Sequence, residues 1–223
     1  MLKDDGIGKV VDFDPGDQLY PFDFTAKNTE LSAQILTDTD SFSSWVFDKL
    51  RLNGCRYGIG GYDEHRTIYS RSVHFDTLEE PRRLHLGTDI WGPVGTPVYA
   101  FSAAVVHSFQ FNDSFGDYGA TIILQHQVMG ETFFVLYGHL SLSSLNGLEE
   151  GLRIAKGQRF AEFGAKEENG HWPPHLHFQV IRDMQGFKGD YPGVCQYSRR
   201  SEYLANCPNP NFILDNTFKT RTF

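Results

Sequence analysis

Five residues in this sequence have types and spacings that could do chemistry. In HWPPHLHFQV (171–180), His175 and His177 flank a single leucine just after a Pro-Pro pair. Side chains of a strand alternate between its faces, so the two imidazoles share one face while Leu176 and Phe178 take the other. Two imidazoles on one surface can ligate a metal, handle protons, or do one of each. In RRLHLGTDIW, His85 and Asp89 are four residues apart, and Gly87 between them permits a tight turn. A histidine nitrogen with a carboxylate oxygen is a partial zinc set, needing one more nitrogen and leaving a position for water. In FVLYGHLS, His139 follows a glycine at the end of an apolar strand, where a rigid element would position it. A lone H-x-H is equally a polar pair on a solvated face, so the motifs gain meaning only together.

The elements that must hold these residues are mainly β. TIYSRSVHF, GTPVYAFSAAVVHSFQF, YGATIILQHQV, TFFVLYGHL and PHLHFQVI read as strands separated by Gly-, Asn-, Asp- and Ser-rich loops. Before them, SFSSWVFDKLRLNG has a cap at Asp40, apolar residues at Phe42, Val46 and Leu50, and an Asn53-Gly54 stop. That pattern predicts one amphipathic helix of about three turns. Residues 1 to about 38 read as an acidic, loop-rich arm wrapped on the body. The division expected is an N-terminal extension over 1–54 and a single antiparallel β unit over 55–223.

Composition excludes several functions. The net charge of −8, with only isolated basic pairs at Arg82-Arg83 and Arg199-Arg200, argues against a nucleic-acid partner. No run of about 18 apolar residues is present, so a membrane span is not expected. The start shows neither a basic n-region nor an apolar h-region, and a cytoplasmic location is expected. Three cysteines without a C-x-x-C pair fit free thiols, with Cys195–Cys207 pairing left open.

The order H-L-G-T-D (85–89), Y-G-H-L-S (137–141) and H-L-H-F (175–178) resembles the three signatures of the lysostaphin-type zinc endopeptidases, which cut peptidoglycan cross-links. G-T-P-V-Y-A after the first motif and LEEGLRIAKGQRFAEFG before the last extend the likeness over roughly residues 55–182. The resemblance implies a lysostaphin-like, duplicated-hybrid-motif type of β-sheet or sandwich core. It implies one zinc per chain held by His85, Asp89 and His177, with His139 and His175 flanking the reacting water. The activity implied is hydrolysis of a peptide bond in a peptide or peptidoglycan-like substrate. Tyr137 could add a donor to the oxyanion or, equally, be a core tyrosine at a strand end, and His171 and Trp172 stand close enough to touch substrate. Pro173-Pro174 fix a stiff, partly aromatic wall through Trp172. Gln179, where the family usually has an acid, has no evident effect on ligation. The lead-in GGYDEHRTIYSRS and the tail YPGVCQ resemble an intracellular subgroup embedded in large polypeptides. Alternatives are a cytosolic zinc amidase acting on a small peptide-like metabolite and a non-catalytic binding or regulatory module; a histidine phosphocarrier ranks last because it has no use for Asp89.

Overall fold

In the computed structural model, which describes residues 6–76 and 80–218, twelve strands and four helices follow in chain order. They are β1 (Leu19–Phe22), α1 (Ala33–Thr37), α2 (Thr39–Leu52), β2 (Tyr57–Gly60), β3 (Leu84–His85), β4 (Thr88–Trp91), β5 (Pro97–Tyr99) and β6 (Ala104–Asn112). Then come β7 (Gly119–Val128), β8 (Glu131–Leu140), β9 (Arg153–Ile154), β10 (Arg159–Glu162), β11 (His175–Ile181), β12 (Val194–Cys195), α3 (Arg200–Asn206) and α4 (Asn211–Phe218). One sheet runs β1-β2-β4-β11-β8-β7-β6-β9, and β5–β10 and β3–β12 form two small ribbons. Every pairing in the large sheet is antiparallel except β1 with β2.

The alternation expected of β11 decides which face is core. Leu176, Phe178 and Val180 join Ile122 and Leu124 of β7, Val135 of β8 and Ile213 and Leu214 of α4 in the main apolar cluster. His175, His177 and Gln179 lie on the opposite face, also buried.

The amphipathic helix is present as α2, and its cap is Asp38, whose carboxylate accepts from Ser41 N at 2.7 Å. The expected cap, Asp40, sits instead in the first turn, where a carboxylate faces the positive end of the helix dipole. Phe42, Val46 and Leu50 bury one stripe against Phe22, Phe24 and Trp91. At roughly 1.5–3 kcal/mol for each fully buried side chain, this packing rather than intrinsic propensity holds a helix of such mixed composition.

The arm is more structured than its composition suggests. β1 extends the sheet, α1 is a short helix, and Val10 and Val11 enter the main core, with Val10 N donating to Thr217 Oγ1 at 2.9 Å. Residues 1–5 of the arm lie outside the described residues.

Two strand expectations are corrected. TIYSRSVHF forms two 3-10 turns, Ile68–Arg71 and Val73–Phe75, because Ser72 caps the second by accepting from His74 N. GTPVYAFSAAVVHSFQF breaks into β5 and β6, and β5 leaves the large sheet to pair with β10. Cys195 and Cys207 are both buried free thiols.

Candidate metal centre

The three central strands bring the site residues together. In the sheet register His177 of β11 stands opposite Asp89 of β4 on one side and Gly138 of β8 on the other. His85 lies outside the sheet, on β3, and the chain then turns through Leu86-Gly87 into β4. The turn needs glycine for room: a Cβ on Gly87 would lie 2.7 Å from His177 Cε1 and 2.9 Å from Phe178 O.

His85, Asp89 and His177 form a closed triangle of ligand atoms. His85 Nε2 is 3.0 Å from His177 Nδ1 and 3.2 Å from Asp89 Oδ1, and His177 Nδ1 is 3.1 Å from Asp89 Oδ1. Each is fixed from behind. His85 Nδ1–H donates to Gly61 O at 2.8 Å, and His177 Nε2–H donates to Gln179 Oε1 at 2.8 Å. Asp89 Oδ2 accepts from Arg66 Nη1 at 2.5 Å. With their only ring protons spent outward, the two neutral imidazoles turn bare lone pairs inward, towards a carboxylate oxygen that is also an acceptor.

Three buried acceptors facing one another without a hydrogen between them are unfavourable unless a cation sits among them. Tetrahedral zinc with ligand distances of 2.0–2.1 Å would space its donor atoms about 3.3–3.4 Å apart, close to the triangle found. The donor set therefore fits zinc. Burial raises the Asp89 carboxyl, but the neighbouring His85 and the Arg66 guanidinium hold it well below the usual carboxylate range. Burial, then the Arg66 charge, lowers the His85 imidazole to about 4, so both groups are ready as ligands at neutral pH. Gly87→Ala should weaken zinc binding on the order of the 10–100-fold that changes around a ligand cost. A chelator-competition titration, with circular dichroism as a fold control, checks this.

His139 and His175 stand beside the triangle, with ring centroids 4.1 Å apart. His175 Nδ1–H donates to Pro173 O and His139 Nδ1–H to Asn169 O, each at 2.7 Å, so both keep Nε2 as a free lone pair. His175 stacks on Trp91 at 4.0 Å. Burial lowers its imidazole to about 4, and burial with the neighbouring His175 and His177 lowers His139 well below the ordinary range.

The position of His139 depends on a bulge that the alternation does not announce. In a regular strand Tyr137 and His139 would share a face. Across β7 and β8, Ala120 pairs with Leu140 but Ile122 with Tyr137, so β8 carries an extra residue at Gly138-His139. His139 takes φ 61, a left-handed conformation that costs a non-glycine residue about 1–3 kcal/mol. The bulge swings His139 to the triangle and leaves Tyr137 in the core, its hydroxyl 3.4 Å from buried His126 Nε2. Tyr137 is therefore no oxyanion donor.

A cavity of about 240 Å³ adjoins the cluster, lined by Asp89, His139, His175 and His177 together with the aromatic side chains of Tyr69, Trp91, Tyr118 and Trp172. His171 is exposed, stacked on Phe115 at 5.5 Å, and not among the lining residues. His74, Arg82, Asp117 and Asp190 also line the cavity; burial raises both carboxyls, with Asp117 adding to the shift at Asp190. Among the described residues none before Arg66 lines the cavity, and Phe22, Phe24, Leu31 and Leu36 of the arm share an apolar cluster with Trp91.

Sequence reasoning missed Arg66, 1% exposed and bonded to Asp89, Glu64 Oε2 and Tyr69 OH, and no spacing marked it. It also gave no partner to Gln179, whose Oε1 accepts from His177 Nε2–H.

Residues 83–188 match the family profile described as Peptidase family M23. Two curated relatives are peptidoglycan DD-endopeptidases of Vibrio cholerae. ShyA is 32% identical over 51% of this chain and 26% of its own, and ShyC 30% identical over 45% and 23%. The chain thus spans about a quarter of the length of these relatives. Among solved structures, a zinc-containing peptidase from Vibrio cholerae is 29% identical, with TM-score 0.35 over 44% of this chain and 27% of that one. The catalytic domain of lysostaphin from Staphylococcus simulans is 21% identical, with TM-score 0.42 over 72% and 96%. Residues 83–188, the segment similar to peptidase family M23, hold His85, Asp89, His139, His175 and His177.

Proposed function

We propose that the chain is a zinc-dependent peptide-bond hydrolase, with one zinc held by His85, Asp89 and His177 and peptidoglycan cross-link peptides as substrate. The observation that carries this reading is the buried triangle of bare acceptors opening into a cavity beside two further histidines with free Nε2 lone pairs. The substrate class is supported by the Vibrio cholerae relatives, which are peptidoglycan DD-endopeptidases.

Zinc supplies Lewis acidity that polarises a carbonyl and makes water acidic enough to lose a proton near neutral pH. The chain's residues supply the rest. Arg66 fixes the Asp89 carboxylate, and Gly61 O and Gln179 Oε1 fix the two ligand rings. His139 and His175, neutral and pinned at Nδ1, present Nε2 to take the proton from water and return it to the leaving amine. The aromatic walls exclude bulk water, which strengthens each of these interactions.

Protein purified without chelator should carry about one zinc per chain by elemental mass spectrometry. It should release new amino groups from purified peptidoglycan. Metal-free protein that cannot be reconstituted, or metal-loaded protein inert on peptidoglycan and on short cross-link peptides, would sink the proposal and favour a binding module.

A further inference from the structure

The two ligand histidines are oriented by different means. His85 gives its outer proton to a backbone carbonyl, Gly61 O, which no substitution can remove. His177 gives its outer proton to a side chain, Gln179 Oε1, two residues along the same strand and on the same face. Gln179 is fully buried, and its amide has only one workable orientation. Its NH2 group donates to Pro192 O at 3.1 Å and to Cys207 Sγ at 3.3 Å. A carbonyl can only accept, so the NH2 must face Pro192 and the oxygen must face His177.

That orientation selects the nitrogen His177 offers inward. An acceptor at Oε1 requires the proton on Nε2 and therefore leaves Nδ1 bare, 3.1 Å from Asp89 Oδ1 and 3.0 Å from His85 Nε2. An inverted amide would place N–H groups against Nε2, stabilise the other tautomer and put a proton where the metal belongs. Both groups that lock the amide, Pro192 and Cys207, lie beyond residue 188, outside the segment that matches the peptidase family. Tyr62 OH donates to Cys207 O at 2.6 Å and anchors that C-terminal stretch to the body.

We infer that Gln179 is the positioning residue of the metal centre: clamped by Pro192 and Cys207 of the C-terminal segment, it sets the tautomer and ring orientation of His177. The inference rests on the reading that His85, Asp89 and His177 hold zinc.

The test is a zinc titration of the full chain against a chromophoric chelator, with thermal midpoints of the metal-free proteins measured alongside. Gln179→Leu, which removes the acceptor, should weaken zinc binding about 10–100-fold. Gln179→Glu keeps an acceptor for His177 but sets a carboxylate against Pro192 O. Its metal-free form should melt lower than wild type while it binds zinc at least as tightly. Opposite movement of stability and affinity is what a packing residue cannot produce. Gln179→Leu within threefold of wild type, or Gln179→Glu weakened tenfold or more, overturns the inference, and the second comparison stands even if Gln179→Leu does not fold. Wild-type protein that takes up no zinc overturns the inference and the metal reading together, whereas wild-type binding with unaffected variants overturns the inference alone.

Discussion

Asp89→Ala protein is expected to bind no zinc and to lose about 3 kcal/mol of stability even without metal, the lower end of what breaking a buried ion pair costs. Asp89 has two jobs at its two oxygens. Oδ1 belongs to the ligand triangle, while Oδ2 faces the Arg66 guanidinium at 2.5 Å. Arg66 is 1% exposed, so losing Asp89 leaves a buried cation with Glu64, at 2.7 Å, as its one remaining carboxylate. That surviving partner is why the loss should not reach the top of the range. Urea unfolding of the metal-free proteins measures the stability term, and elemental analysis measures the zinc. A second substitution, Arg66→Met, should recover much of the lost stability without recovering zinc. If the double variant instead loses the sum of the two single effects, the Arg66–Asp89 pair is not coupled and its supporting role is refuted.

The other large effect belongs to the two histidines outside the triangle. His139→Ala and His175→Ala should each lower kcat on a peptidoglycan fragment by about 10²–10⁴, the usual range for removing a positioned proton-transfer group. Zinc content should stay at the wild-type level, because neither residue belongs to the ligand triangle. The pairing of retained metal with lost turnover separates these residues from the ligands. Either variant turning over at the wild-type rate would remove that histidine from the proton-transfer role, and loss of zinc in either would move it into the ligand set.

Much of this site was legible because its members sit on regular elements. His175 and His177 follow the period of two in β11, and His85 and Asp89 are set by a short turn that Gly87 makes possible. Local patterns carry such information. What the sequence hid depends on where strands meet. The bulge at Gly138-His139 is a property of the β7–β8 pairing, so β8 alone could not decide whether Tyr137 faced the site or the core. Arg66 reaches Asp89 from 23 residues away, and Gln179 meets Pro192 and Cys207 across 13 and 28. No spacing rule links positions brought together only by tertiary packing. The same limit explains the arm: β1, too short to show a period, is a strand because Tyr57–Gly60 offers it a parallel edge. In α4, the apolar stretch NFILDNTF is short, and its burial against the main core decides its conformation.

The placement of the three ligands also sets how a bound ion would come and go. Asp89 and His177 lie on β4 and β11, each flanked by hydrogen-bonded strands on both sides in the interior of the sheet. Exposing them requires disrupting the centre of the eight-stranded sheet. His85 is held differently, on a ribbon in which β3 and β12 share only two residue pairs. Local openings concentrate where few backbone bonds must break; beside this ribbon, His85 is tied by its backbone to Asp63 and Glu64, and opening that margin would break fewer bonds than opening the sheet centre. The residence time of a bound ion would then follow a two-pair ribbon at the margin, while its affinity would be set by the rigid sheet beneath.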